Sequence, residues 1–440
     1  MAAPAFEAQQ SMIGASLFGL LTATVLSGAV LGAALGLTGF ALLHFAVGGA
    51  TRLGVQAVWN TLNEFTLTAV PLFILLGEVL VASGLARGVY RALAPLFARL
   101  PGGLLHTNIA VCTVFGAVSG SSMSVAAAVG SVAYPELKGR GYDRAAVVGT
   151  LAGGGTLGLL IPPSLSLLIY GALTDTSIGR LFLAGVLPGL MMAALFMAWI
   201  LHAALRNPAI APAEKRVALA EALRGLVHVL PLVALIVAVL GSLFAGLATP
   251  TEAAGVGVAA AALLGFAMGE LTLRKLGDAL IGTARIFAVI AMVFVGALVL
   301  AQAISMLGLP QQMLAAIAEW GLTKWMLLLA VVLIYLALGC FFDGLSMMIM
   351  TLPLVFPLLT GVGFDPVWLG VVVTLMIEVG MLTPPVGMNL FVLVGITQGE
   401  VRLPDAAQAA IPYWLALLLG LLALCLFPGL ATWLPGVAFG

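Results

Sequence analysis

Apolar residues fall in long unbroken runs along most of this chain, separated by short stretches rich in Gly, Pro and charged residues. Runs of about 18–25 residues have the length a helix needs to cross the hydrocarbon core of a bilayer. Ten crossings are predicted, near 11–28, 30–48, 64–82, 145–174 and 182–205, then near 226–247, 252–269, 286–304, 366–397 and 411–434. Ser11–His44 is read as two short spans rather than one long tilted helix. Polar and apolar positions do not alternate within the runs, which excludes the strands of a transmembrane barrel. The pattern predicts an all-α polytopic membrane protein behind a short tail at 1–10.

The runs also repeat. GYDRAAVVGTLAGGGTLGLLIPPS begins at Gly141, and GFDPVWLGVVVTLMIEVGMLTPPV begins 222 residues later at Gly363. Asp143 pairs with Asp365, Gly158 with Gly380, Pro162-Pro163 with Pro384-Pro385, and upstream Pro135 with Pro357, all in one ungapped register. Self-similarity of this kind marks a duplicated unit. The halves are placed at 11–205 and 226–440, joined by a linker at 206–225.

Charge gives the halves a direction. The loop before the first repeat segment carries Lys138, Arg140 and Arg144, whereas its counterpart from Gly361 to Pro366 carries no Lys or Arg. The amphipathic segment upstream holds Arg87, Arg91 and Arg99; its counterpart near 306–323 holds Gln311, Gln312 and Glu319. Cytoplasmic loops collect Lys and Arg, so the two loops are expected on opposite sides. The linker, with Arg206, Lys215, Arg216 and Arg224, reads as cytoplasmic. Five crossings per half, an odd number, invert the second half.

Between the third and fourth crossings of each half lies a further apolar stretch, about 104–134 and 327–359, interrupted by SGSSMS at Ser119–Ser124 and FFDGLS at Phe341–Ser346. One more full crossing would spoil the charge pattern, so each is read as a re-entrant hairpin. The double prolines sit inside the spans 145–174 and 366–397. A proline there deletes a backbone hydrogen bond and clashes with the preceding turn, so both spans are read as broken helices. Paired breaks at matching positions of inverted halves are the best sequence pointer to a transporter binding site.

Composition narrows the rest. The chain has 440 residues, 62% hydrophobic, 8% charged and with zero formal net charge, against roughly a quarter charged in soluble domains; nucleic acid is excluded as a partner. Cys112, Cys340 and Cys425 are scattered singly and read as core residues. The first ten residues hold no Lys or Arg, so membrane entry is expected through the first spans rather than a cleaved signal. HExxH, GxSG, GxGD and P-loop patterns are absent, which excludes the common intramembrane hydrolases and ATP-driven transport.

Unwound backbone in a membrane offers carbonyls to hard cations and helix N-termini to anions. One sodium ion is expected at Ser119, Ser121 and Ser122 facing Gly155 and Gly158. A second is expected at Asp343, Gly344 and Ser346 facing Gly380 and Thr383. Such serines serve either as helix-packing residues or as ligands, and three within four positions at a hairpin tip favours ligands. Asp343 is expected buried near the membrane centre, where an uncompensated charge costs at least ~2.5 kcal/mol. Asn389 is a candidate amide ligand. Glu78 and Glu252 are read as structural, Glu378 fits a gate or a packing acid, and Trp59, Trp414 and Trp433 are read as interface residues.

PLFILLGE, FGAVSGSSMSVAAAVGS, KGRGYDRAAVV, GTLGLLIPPSLSLLIYG, SIGRLFLAGVLPG and ATPTEAAGVG, with FFDGLS and EVGMLTPPVGMNLFVL in the second half, resemble the large membrane subunit of the tripartite ATP-independent periplasmic (TRAP) transporters. The likeness runs from about residue 12 almost to the end. It implies an elevator-type sodium symporter of the bacterial inner membrane, importing a small organic acid without a cofactor. It also implies a separate four-span small subunit and a periplasmic solute-binding protein. The solute would lie between the hairpin tips and broken helices, beside Ser124, Pro162, Ser164, Ser346, Pro384 and Asn389. The alternative is a stand-alone sodium/dicarboxylate carrier.

Overall fold

The computed structural model describes residues 19, 23–24, 29–63, 65–212, 214, 218, 223–384 and 387–439. All regular elements among them are helical. The crossing expected at 11–28 lies almost wholly outside the described residues, as does part of the linker at 213–222.

The first half opens with α1 (Leu31–Phe45) and an unexpected amphipathic helix, α2 (Thr51–Leu62). α3 (Ala69–Ala82) bends by 66° into α4 (Leu85–Phe97), with Gly84 at φ +67° supplying the left-handed corner that a Cβ would disfavour. α5 (Leu104–Ser119) and α6 (Ser122–Gly139) form a helical hairpin. α7 (Arg144–Leu160) and α8 (Leu165–Thr174) are one span broken at 161–164, and α9 (Ile178–Arg206) ends the half.

The second half begins with α10 (Leu230–Phe244), α11 (Pro250–Ala267) and the 34-residue α12 (Leu273–Met306). α13 (Leu309–Glu319) follows a corner at Gly308, φ +63°. α14 (Lys324–Gly339) and α15 (Gly344–Gly361) form the second hairpin; α16 (Pro366–Leu382) and α17 (Met388–Ile396) form the second broken span. α18 (Leu403–Leu426) and α19 (Gly429–Phe439) close the chain.

Local chemistry explains these boundaries. Asp143 and Asp365 cap α7 and α16, each accepting the backbone N–H three residues on, which satisfies an otherwise orphaned donor. α15 starts and ends 222 residues after α6 (122–139 and 344–361), and α16 likewise after α7 (144–160 and 366–382). Glu252 and Thr249 close a capping box on α11, which accounts for that acid as a structural residue.

Three boundaries differ from the sequence reading. The crossing at 411–434 is two helices, because Pro428 cannot donate to the turn before it and α18 stops at Leu426. The hairpin helices α6 and α15 run past 134 and 359, to Gly139 and Gly361. Among the described residues six helical stretches are long and apolar enough to cross a membrane, 144–174, α9, α11, α12, α15 and α18, or seven if the bent α3–α4 pair is one span. The expected crossings at 30–48, 64–82 and 226–247 instead contain helices of 15, 14 and 15 residues, about 22 Å long against a core of ~30 Å.

Packing divides the helices into two groups. α1, α2, α3, α10 and α11 gather around and beside α12. The α1–α12 seam is built from small residues: a Cβ on Gly39 would fall 2.6 Å from the Leu300 nitrogen, and Gly32 and Gly296 meet backbone to backbone. Small residues allow such approach where lipid supplies no hydrophobic drive. The other group has α7 and α16 at its centre, buried from Val147 to Leu160 and from Trp368 to Leu382. α5, α6, α14, α15 and α18 pack around these two.

Candidate functional site

A cavity of about 510 Å³ lies where the two groups meet. Its wall takes Ser119, Ser121, Ser122, Met123 and Ser124 from the first hairpin tip, and Asp343, Gly344, Leu345 and Ser346 from the second. Glu78 of α3 and Ile286, Val289 and Ile290 of α12 complete the lining. The volume falls in the range of small-molecule sites.

The tips are equivalent down to their caps. Ser121 caps α6 and accepts from the Ser124 N–H; Asp343, 222 positions on, caps α15 and accepts from the Ser346 N–H at 3.1 Å. Both α6 and α15 therefore open their positive ends toward the cavity. Asp343 is only half-buried. The expected fully enclosed carboxylate is corrected: Asp343 borders the cavity on one side, and the helix end holds the other.

Each tip rests on the glycine that the repeat marks. A Cβ on Gly116 would fall 2.9 Å from Gly158 Cα, and one on Gly158 would fall 3.1 Å from the Ser121 carbonyl oxygen. Gly155 sits against Ala126 and the Ser122 carbonyl, and Gly339 meets Gly380 backbone to backbone. These glycines permit hairpin and broken helix to touch, and they bring the Ser121 and Ser122 carbonyls to the break. Cys340 crosses the second tip, its thiol 3.3 Å from the Pro384 oxygen. Gly344 lies against Ile377 and Met381 of α16.

Asn389 joins the halves. Its Nδ2 donates to Ser122 Oγ at 2.6 Å, linking α17 to the first hairpin. Among the described residues its Oδ1 and the Ser119 Oγ are buried without a hydrogen-bond partner, and buried polar atoms rarely stay unpaired. Oxygens of this kind are the donor type a hard cation takes. Thr383 donates to the Val379 carbonyl at 2.7 Å and accepts from Trp414 Nε1 at 2.9 Å, leaving one lone pair. Trp414, read from sequence as an interface residue, is thus a partner of the second break.

Of the residues expected beside solute, Ser124 and Ser346 are on the cavity wall, while Pro162, Ser164, Pro384 and Asn389 are not among those lining it. Ser164 caps α8 and donates to the Leu159 carbonyl, so its hydroxyl mends the break. Pro384 is exposed, and Pro385 lies outside the described residues. The sequence reading missed Glu78 as a wall residue. Its signal was available, an acid in the middle of an apolar helix, which is a functional candidate by default. Glu378 is fully buried, with neither carboxyl oxygen paired among the described residues.

Two contact sets tie the ends of the broken spans. Tyr170 of α8 donates to the Pro366 carbonyl at 2.7 Å, at the start of α16. Lys138 and Arg144, flanking the start of α7, pair with Glu400 just beyond α17. Lys138, with the Tyr134 hydroxyl, holds the Glu400 carboxyl below its ordinary value of 4.5.

Comparison with known proteins agrees with this architecture. Residues 18–430 match the family described as "Tripartite ATP-independent periplasmic transporter, DctM component". The C4-dicarboxylate TRAP transporter large permease protein of Pseudomonas aeruginosa is 33% identical, over 91% of this chain and 93% of its own. The ectoine/5-hydroxyectoine TRAP transporter large permease protein of Ruegeria pomeroyi is 31% identical, over 90% and 92%. The crystal structure of the Alcanivorax borkumensis YdaH transporter shares the fold at a TM-score of 0.54, with 20% identity, over 84% of this chain and 89% of that one. The chain belongs to the TRAP transporter large permease family.

Proposed function

We propose that this large permease subunit imports a small organic acid together with sodium ions, by moving its hairpins and broken helices past a static scaffold built on α12. The observation that carries the reading is the cavity lined by both hairpin tips, with open oxygen atoms behind it. A half-helix N-terminus favours an anionic group, and unwound carbonyls with serine hydroxyls favour sodium. Relatives named for C4-dicarboxylate and for ectoine transport support a small metabolite as solute.

An inverted arrangement of the halves is supported by the two contact sets. Tyr170 ties the end of the first broken span to the start of the second, and Glu400 ties the end of the second to the start of the first. Spans joined in that way run in opposite directions. With the basic loop at 138–144 facing the cytoplasm, solute would pass from periplasm to cytoplasm across the inner membrane. A four-span small subunit and a periplasmic solute-binding protein complete the proposed assembly.

The test is uptake into proteoliposomes holding this chain, its small subunit and its solute-binding protein, with and without an inward sodium gradient. Sodium-driven uptake that needs all three proteins is expected. Asp343→Ala removes both cap and charge, whereas Asp343→Asn keeps a capping side chain; both should lose sodium dependence. Unchanged sodium dependence in Asp343→Asn would remove Asp343 from the ion site, and full activity of the single chain would favour the stand-alone carrier.

A further inference from the structure

The two caps facing the cavity are equivalent in the repeat and opposite in chemistry. Ser121 caps α6 with a neutral hydroxyl, so the positive end of that helix meets the cavity uncompensated. Ser119, on the same wall, keeps a buried hydroxyl without a partner among the described residues. Asp343 caps α15 with a carboxylate, which offsets its helix end and leaves negative charge facing the space. Glu78 adds a second carboxyl from the scaffold. It stands beside Gly282 of α12, where a Cβ would lie 3.1 Å from its Oε2, and makes no ion pair among the described residues. Among the described residues, no Lys, Arg or His lines the cavity.

A dicarboxylate in this space would find one end welcomed and the other opposed by acids. A sodium ion at the second tip would cancel Asp343 and still leave Glu78. We infer that the solute is a small zwitterion, its carboxylate at the serine-capped end of α6 and its nitrogen-borne positive charge at Glu78. This rests on the cavity being the solute site. Glu78 then acts as a specificity-determining residue on the scaffold side, since a charged donor pairs with a carboxylate and rejects a second anion.

The test is ligand binding to the purified complex of this chain with its small subunit, in sodium chloride, by calorimetry and by melting shift. One panel is zwitterionic (ectoine, proline, β-alanine) and the other dicarboxylic (succinate, malate). At least one zwitterion is expected to bind and neither dicarboxylate to compete with it. Glu78→Gln should weaken that zwitterion about ten-fold or more while the shift induced by sodium alone persists. Dicarboxylates binding as well as every zwitterion, no zwitterion binding, or Glu78→Gln binding like the wild type overturns the inference. Loss of the sodium shift in Glu78→Gln also overturns it, by making Glu78 an ion ligand. Ser124→Trp, which crowds the end of the cavity assigned to the carboxylate, separates the two levels. If it still binds solute, the site itself is misassigned; if it binds none while Glu78→Gln is silent, the zwitterion inference alone fails.

Discussion

The hydrogen bond from Asn389 to Ser122 is the most exposed point of the proposal, because it makes the first ion site depend on both halves. Both side chains are buried, at 0% and 1% exposure, so neither can turn to water when the other is removed. Asn389→Ala deletes a donor that contributes ~1 kcal/mol net and strands a buried hydroxyl at a cost of ~1–3 kcal/mol. A loss of about 2 kcal/mol is expected. If the orphaned Oδ1 is a sodium ligand, the same loss appears as a half-saturating sodium concentration about 30-fold higher. Ser122→Ala strands the amide instead and should cost a similar amount. The double variant should then be little worse than either single one, a coupling well above the ~0.3–0.5 kcal/mol scatter of independent sites. The assay is the melting temperature of the purified complex titrated with sodium chloride against choline chloride, for all four members of the cycle. Additive effects would refute the linkage, and a strong coupling with unchanged sodium titration would reduce the pair to a structural latch.

Three further outcomes follow from other contacts. Gly380→Ala should lower the melting temperature, with a cost of about 1–3 kcal/mol for overpacking, because its Cβ would lie 2.9 Å from Gly339 Cα; Gly395→Ala, with open space around it, serves as the control. Glu400 has its carboxyl lowered by Lys138 and Tyr134, so its contribution to stability is present above 4.5 and lost as pH falls through its lowered value. The melting-temperature difference between wild type and Glu400→Gln should therefore vanish in that acid window, and a difference growing with acidity would contradict the sign. A cysteine at Lys138 should react with an impermeant maleimide only from the cytoplasm and one at Gly363 only from the periplasm; both reacting from one side would end the inverted arrangement.

Much of the helical plan was legible because a bilayer leaves the backbone no alternative to internal pairing. Apolar run length therefore reports helices directly, and Gly, Pro and Asp report their interruptions. The starts of α6, α7, α15 and α16 could be read in this way. The break at Pro428 was overrun because apolar residues continue on both sides of it. Lateral contacts were not legible. Asn389 and Ser122 stand 267 residues apart, and Trp414 meets Thr383 through the approach of α18 to a break in another helix. The half-exposure of Asp343 depends on a cavity that no single segment encodes. The place of Glu78 on the cavity wall was not legible for the same reason, since its own helix says nothing of the hairpins that complete the wall.

The glycine contacts bear on how this protein can be recombined with its relatives. Gly116 on Gly158 and Gly339 on Gly380 leave no atom's width between each hairpin and its broken helix. The surfaces are shaped by backbone, so no side-chain exchange can re-fit a mismatched pair. A chimera that takes one hairpin from a relative must therefore inherit the matching broken helix, and Asn389 requires the α17 segment to travel with the first tip. Viable crossover points lie outside 104–174 and 324–396, and because Asn389 links them the two blocks are exchanged together or not at all.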